Sequence, residues 1–163
     1  MFEAREKIQC LSTPDGFGNT YLKGSYSQAL ATQGIYNCAY ISLYNSKNKV
    51  HAIHHVYATD NKAGIASTIN VLMPNGFDKV CIIAGESEGT ENCAQEIFRA
   101  VKSIKKSTKI VYRHFNQESP AIISYNGKVY ELSKEQKNAI AKIPDKQDYS
   151  CHALTNRISL FPL

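Results

Sequence analysis

Two strand-like segments joined by a short polar link constrain the fold most strongly. The apolar positions of the first segment are Ala39, Ile41 and Leu43. They alternate with tyrosine and serine, and this period of two predicts a β-strand with one face toward a core. After a polar turn at 45–49 the pattern returns from Val50 to Tyr57, so the pair predicts an antiparallel hairpin with a longer loop. Folding the hairpin places His54 or His55 beside Cys38.

Two helices are predicted after this hairpin. The first follows Asp60, which we expect to be its N-cap, and ends before Pro74-Asn75-Gly76. Its apolar positions are Ile65, Ile69 and Leu72. The second follows Thr90, a plausible N-cap with Glu91 in the first turn. Its apolar face comprises Ala94, Ile97, Phe98, Val101 and Ile104. Each set has the spacing of an amphipathic helix that packs one side against a core.

Further strands are predicted along the rest of the chain. They cover Lys79 to Ala84, 109–115, 120–125 and Lys128 to Leu132. Asn126-Gly127 separates the last two and is typical of a tight hairpin turn. A helix from Ser133 to Ile143 and an irregular tail after Pro144 complete the prediction, while residues 1–28 give no clear pattern. This order predicts an α+β fold, a layered β-sandwich with flanking helices.

Length and composition favour one soluble domain. The 163 residues fit a single domain over 1–163, and the content of 43% hydrophobic and 20% charged residues is ordinary. No apolar stretch is long enough to span a membrane, and the charged start at 3–7 differs from a classical signal peptide. We therefore expect a cytoplasmic protein, or one injected into a host cell as an effector.

The net charge of +5 is too small to indicate nucleic-acid binding. A cluster of basic residues in the chain comprises Arg99, Lys102, Lys105, Lys106 and Lys109. Such a cluster is either a solvated helix face or a surface that attracts an acidic protein.

Five cysteines are present without any CxxC spacing, which excludes a zinc ribbon or a thioredoxin motif. Cys38 is the one with histidines predicted across from it. A cysteine nucleophile needs a base that takes its proton, and only one of His54 and His55 can face it from a strand. His51 shares the face of His55. From the residues alone, Cys38 is a buried packing residue, a nucleophile, or a zinc ligand with His51 and His55.

The segment Thr32-Gln33-Gly34-Ile35-Tyr36-Asn37-Cys38 and its partner His55 resemble the CheD family of chemoreceptor glutamine deamidases. In that family a threonine precedes a turn into the catalytic cysteine, and a strand pair then ends in the catalytic histidine. The strand Lys79 to Gly85 also resembles the family's next apolar strand and glycine. The resemblance covers roughly residues 28–130, with 131–163 as a C-terminal helix and tail. The same fold and Cys–His site occur in toxins such as cytotoxic necrotizing factor and Burkholderia lethal factor.

The resemblance implies a protein-glutamine deamidase that uses no cofactor. Cys38 is then the nucleophile, His55 its base, and Thr32 the residue that orients the imidazole. The partner is a protein substrate with an exposed glutamine, recognised by loops that include 13–20, 45–49 and 85–90.

The family usually has Gly-Ser before the cysteine, whereas Tyr36-Asn37 stands here, and His51-Ala52 replaces its glycine pair. These departures point to a different substrate, such as a host protein. The alternatives are a non-catalytic protein-binding module on the same fold, or a cysteine peptidase or transglutaminase that uses the same Cys–His pair.

Overall fold

The computed structural model describes residues 7–11, 21–32, 38–85, 88–114, 122–131, 148–150 and 159–161. Two β-sheets pack face to face, and two helices cover the outer face of one sheet. The strands are β1 (Lys7–Leu11), β2 (Tyr21–Ser25), β3 (Ala29–Thr32), β4 (Ala39–Asn45), β5 (Val50–Val56), β6 (Lys79–Ala84), β7 (Lys109–His114), β8 (Ile122–Tyr125), β9 (Lys128–Glu131), β10 (Asp148–Ser150) and β11 (Ser159–Phe161). The helices are α1 (Lys62–Leu72) and α2 (Glu88–Ile104). This is the α+β sandwich with flanking helices that the sequence predicts.

One sheet has five strands in the order β2-β5-β4-β6-β7, and the other has six in the order β10-β1-β3-β8-β9-β11. The predicted hairpin is confirmed as β4 paired antiparallel with β5. The predicted Asn126-Gly127 turn joins β8 to β9, and both residues have positive φ angles, 48° and 77°. Such angles are what a two-residue hairpin turn of this type requires.

Two apolar clusters lie on opposite faces of the five-stranded sheet. One packs alternate residues of β4, β5 and β6 against the predicted apolar positions of α1, all three of which are buried, and against α2. The other lies between the two sheets and contains Tyr40, Ile53 and Ile122. Neither α1 nor α2, the helices in the described ranges, is long and apolar enough to cross a bilayer.

Both helix N-termini differ from the prediction. Asn61, not Asp60, caps α1, and its side chain accepts a hydrogen bond from Gly64 N at 2.9 Å. Asp60 accepts instead from Tyr57 N at 2.9 Å and closes a tight turn. Helix α2 begins at Glu88, so Thr90 lies within its first turn and donates to the carbonyl of Gly85. Neighbouring polar residues have equal capping chemistry, and the path of the preceding chain decides between them.

The prediction for the apolar face of α2 is wrong at one position. Phe98 is 48% exposed, whereas Ala94, Ile97 and Val101 are buried and Ile104 is partly buried. The prediction of an irregular tail is also wrong in part, because β10 pairs with β1 and β11 pairs with β9. The predicted helix at 133–143 lies outside the described residues.

Candidate functional site

The candidate site lies at one end of the five-stranded sheet. Ala39 pairs with Val56 on one side and with Ala84 on the other. Cys38 before β4, Tyr57 after β5 and Gly85 after β6 therefore lie at the same end. The loop at 45–49 lies at the opposite end of the hairpin, about 20 Å away along the strands. The expectation that this loop borders the site is therefore wrong, whereas Gly85, the first residue of the predicted loop 85–90, lies at the same end as Cys38.

His55 projects into the space between the two sheets. Residues of β5 alternate in direction, and Ala52 and Val56 pack in the cluster that contains the helices. His54 shares their face. His51 and His55 therefore lie on the other face of the sheet, opposite the helices. Each of these side chains is buried. Strand alternation therefore places His55, and not His54, on the face between the two sheets.

Thr32 reaches His55 from the other sheet. It is the last residue of β3, and it pairs with Ile122 of β8. Its Oγ1 lies 3.4 Å from His55 Nδ1, and both side chains are fully buried. At this separation the hydrogen bond is long. The structure therefore brings together two residues that stand 23 positions apart in the sequence.

Burial, together with a smaller effect of the nearby His54, lowers the pKa of His55 from 6.5 to about 4. The imidazole is therefore neutral at pH 7. Its Nε2 is buried and has no hydrogen-bond partner among the described residues. The ring also lies 5.5 Å from that of Tyr57, at an interplanar angle of 31°. Buried polar nitrogens in proteins are nearly always paired. The unpaired Nε2 therefore marks His55 as a candidate functional residue.

The direction of the hydrogen bond between Thr32 and His55 determines whether Nε2 of His55 can act as a base. If Nδ1–H donates to Thr32 Oγ1, Nε2 carries a lone pair and is a base. If the Thr32 hydroxyl donates to Nδ1 instead, Nε2 carries the proton and cannot accept another. A residue that orients a catalytic imidazole must favour the first arrangement, as the carboxylate does in a catalytic triad.

Cys38 is a half-buried free thiol. Burial raises its pKa above the ordinary value of 9, the carboxylate of Asp60 raises it further, and a hydrogen bond from the backbone of Ala58 opposes both effects. No hydrogen bond joins Cys38 to His55 within the described part of the chain. Cys38 directly precedes β4, in which Tyr40 pairs with His55. The pair is therefore a neutral thiol near a neutral imidazole, not a preformed ion pair.

The turn after β5 is the part of this site that the sequence reasoning missed. Tyr57, Ala58 and Asp60 all lie in it, and each contacts Cys38 or His55, or alters the pKa of Cys38. The signal was available, because a hairpin that brings the end of β5 to the start of β4 also brings the residues after β5 there.

Two further thiols are buried. Cys93 of α2 donates to the carbonyl of Val56 at 3.1 Å, on the helical side of the sheet. Burial raises its pKa to about 12. Cys81 lies between the sheets, as predicted for a core residue, and burial raises its pKa to about 12 as well. Both thiols are protonated at neutral pH and serve packing. Side chains of the other two cysteines lie outside the described residues.

His51 belongs to a separate buried hydrogen-bond cluster, which we call the inter-sheet network. Its Nε2 donates to the carbonyl of Gln28 at 2.7 Å, and its Nδ1 lies 2.9 Å from Ser124 Oγ. Ser124 Oγ also lies 2.9 Å from Tyr44 Oη, which accepts from Ser42 at 2.8 Å. Both nitrogens of His51 are therefore occupied, and it is neither a base for Cys38 nor a ready metal ligand. Among the described residues, no three His, Cys, Asp or Glu side chains form a group that could hold a metal ion.

The fold and the site together define an α+β sandwich protein with a buried histidine near a half-buried cysteine. No protein-family model and no curated protein matches the sequence. Among solved structures the chain is similar to the C-terminal domain of CNFy from Yersinia pseudotuberculosis, with a TM-score of 0.36 and 9% identity. The match covers 77% of this chain and 58% of that one, so the chain spans less than two thirds of that structure. A likeness this weak shows neither the family nor the activity of this chain.

Proposed function

We propose that this protein is a cysteine-dependent protein-glutamine deamidase, in which Cys38 is the nucleophile, His55 the base and Thr32 a positioning residue. The observation that carries the proposal is the state of His55. Its Nδ1 contacts Thr32, while its buried Nε2 has no partner among the described residues. A neutral imidazole in this arrangement is suited to take a proton from a thiol directly before the neighbouring strand. The family resemblance of the residues around Cys38 points to the same roles.

In the proposed reaction, His55 Nε2 takes the proton of Cys38 as its sulfur attacks the carboxamide carbon of a glutamine side chain. The protonated imidazole then gives that proton to the departing nitrogen, and ammonia leaves behind a thioester. Water, deprotonated by His55, attacks the thioester, which restores the thiol and releases glutamate. Because Cys38 and His55 are both neutral at rest, proton transfer occurs with attack on the substrate rather than before it.

A non-catalytic protein-binding module is the second candidate function. It is favoured by the raised pKa of Cys38, which is opposite to the change expected for an activated thiol. In that case His55 is a buried histidine whose contact with Thr32 ties the two sheets together. The two candidates differ in whether Cys38 reactivity depends on His55.

The test measures alkylation of Cys38 by iodoacetamide as a function of pH, with each cysteine followed separately by peptide mass spectrometry. Iodoacetamide carries the same carboxamide group as glutamine. If His55 acts as a base, the wild-type rate contains a component that is independent of pH between about pH 5 and pH 8, where the imidazole is neutral and the thiol protonated. His55→Ala removes this component and leaves only the steep rise caused by thiolate formation.

Two variants separate positioning from general damage. Thr32→Val removes the hydroxyl that orients His55, and we expect the pH-independent rate to fall about tenfold, the effect of one lost hydrogen bond. Thr32→Ser restores it. The buried Cys93 in the same samples reports on opening of the fold. If the wild type and His55→Ala follow the same thiolate titration, the deamidase proposal is wrong and the binding-module candidate replaces it.

If the pH-independent component is present, the substrate search follows. Candidate proteins are incubated with the wild type or with Cys38→Ala and digested, and glutamine-to-glutamate conversion is scored by mass spectrometry. Conversion with the wild type alone identifies the substrate. Attachment of an added amine at the same glutamine identifies a transglutaminase, and cleavage of the chain identifies a peptidase.

A further inference from the structure

An apolar cavity lies between α2 and β7, far along the sheet from β5. Its volume is about 280 Å³, and we call it the α2–β7 groove. It is lined mainly by Ala94, Gln95, Phe98, Ile110 and Tyr112. Phe98 is 48% exposed and Tyr112 is 43% exposed. Two large aromatic side chains therefore stand in water on either side of one apolar depression, an arrangement that is common where another chain docks.

The groove runs beside an edge of the five-stranded sheet. Strand β7 pairs in parallel with β6 and has no further strand beside it in the described part of the chain. Ile110 and Tyr112 point toward the groove, while Val111 packs between the two sheets. An edge strand with an apolar groove alongside it can accept an added strand, whose backbone pairs with the edge and whose alternate side chains enter the groove.

The charges on β7 indicate what kind of strand fits. Lys109 and Arg113 are both exposed and share the face opposite the groove. Arg113 Nη1 donates to the carbonyl of Tyr112 at 3.2 Å. The one carboxylate that lines the groove, Glu91, lies near the start of α2. Strand β7, which has no further strand beside it among the described residues, is therefore cationic on one face and apolar on the other.

A second copy of this chain is a poor occupant. In an antiparallel pair of two β7 strands centred on Val111, Lys109 of each strand stands opposite Arg113 of the other. Like charges directly across a strand pair are destabilising. Cationic residues on an edge strand are a common device against such self-association. An acidic strand, in contrast, can pair its carboxylates with both cationic residues, and Arg113 then exchanges its hydrogen bond to the Tyr112 carbonyl for one to a carboxylate.

We propose that β7 and the α2–β7 groove form a docking site for an extended, acidic segment of a partner protein. The segment adds to the edge of the sheet, its carboxylates pair with Lys109 and Arg113, and its apolar side chains contact Phe98 and Tyr112. The proposal does not depend on the chemistry of Cys38. It uses different residues, at the opposite edge of the five-stranded sheet from β2.

The test uses a short synthetic peptide in which glutamate alternates with valine and phenylalanine, and a matched peptide with lysine in place of glutamate. Binding to the full chain is measured by fluorescence anisotropy at two salt concentrations, and the bound region is mapped by amide chemical shifts. We expect the acidic peptide to bind, with affinity that falls as salt rises. We expect shifts in β7 and α2, and no binding of the lysine peptide.

Two variants and one control locate the site. Tyr112→Glu places a charge in the groove, and Lys109→Glu with Arg113→Glu reverses the charge of the edge. Each should weaken binding of the acidic peptide about tenfold or more. The control is Val71→Glu on α1, which changes an apolar residue that is 69% exposed and lies outside the groove, and should leave binding unchanged.

Equal binding of the two peptides, binding unaffected by the three β7 substitutions, or no binding of the acidic peptide would each overturn the proposal. A concentration-dependent dimer that Tyr112→Glu abolishes would also overturn it, because a second copy would then be the occupant.

Discussion

Acid should destabilise this protein through His51, and the structure sets the size of the effect. Burial lowers the pKa of His51 from 6.5 to about 4, although hydrogen bonds to the carbonyls of Gln28 and Ser25 oppose the decrease. In the unfolded chain the pKa returns to about 6.5. As pH falls, the unfolded state therefore binds the proton before the folded state does. The stabilising contribution is complete above about pH 6.5 and is lost progressively down to about pH 4.

The magnitude follows from the separation of the two pKa values. Each pH unit between them costs about 1.4 kcal/mol, so the full loss is about 3 kcal/mol and the loss at pH 5 is about 2 kcal/mol. We expect His51→Gln to remove this part of the acid sensitivity, because glutamine has no proton to gain. Urea unfolding of both proteins at pH 7 and pH 5 measures it. The variant should lose about 2 kcal/mol less than the wild type over that interval.

His51→Gln also changes the stability at pH 7, since it alters the inter-sheet network, but this change cancels when each protein is compared with itself at two pH values. His55→Gln provides a matched test, because burial lowers the pKa of His55 to about 4 as well. The two reductions should add in the double variant if the sites are independent. Should His51→Gln lose as much stability as the wild type between pH 7 and pH 5, His51 is not held neutral by burial, and the reasoning fails.

Three further outcomes are expected. Asp60→Asn should raise the rate of Cys38 alkylation at pH 8, because removal of the carboxylate lowers the pKa of the thiol; an unchanged or slower rate would show that the carboxylate does not act on Cys38. Ser124→Ala should lower the free energy of unfolding by about 1–3 kcal/mol, since it leaves partners in the inter-sheet network unpaired, and a loss near zero in urea unfolding would contradict the network. Asn61→Ala should cost about 1 kcal/mol through loss of the α1 cap, whereas Asn70→Ala at an exposed position inside the same helix should cost nothing; equal effects of the two would refute the assigned cap.

The choice of the residue that caps α1 shows where prediction from the sequence reaches its limit. Asp60 and Asn61 have nearly the same capping ability, so their order along the chain does not select one. The selection comes from the turn after β5, in which the Asp60 carboxylate is already bound to Tyr57 N. The exposed Phe98 is a similar case. Its spacing on α2 is that of a core residue, but α2 extends over the edge of the sheet at β7, where no further described strand covers it.

The sequence by itself determined the features that depend on near neighbours. Alternation predicted the hairpin of β4 and β5, and a short apolar run predicted β6. Helical spacing predicted α1 and most of the buried face of α2, and Asn126-Gly127 predicted its hairpin turn. These features follow from the backbone geometry of a few consecutive residues. The hairpin also placed Cys38 near the histidines, because one turn connects its two strands.

Only the tertiary structure decided which strands from distant parts of the chain pair. β1 lies between β3 and β10, and β2 lies beside β5, pairings that leave no local pattern. The site depends on the same long-range packing. Thr32 reaches His55 only because two sheets stack face to face, and the pKa of each buried histidine falls because that packing excludes water. Periodicity can assign a residue to a face of a strand, but what covers that face is determined by chain segments far away in sequence.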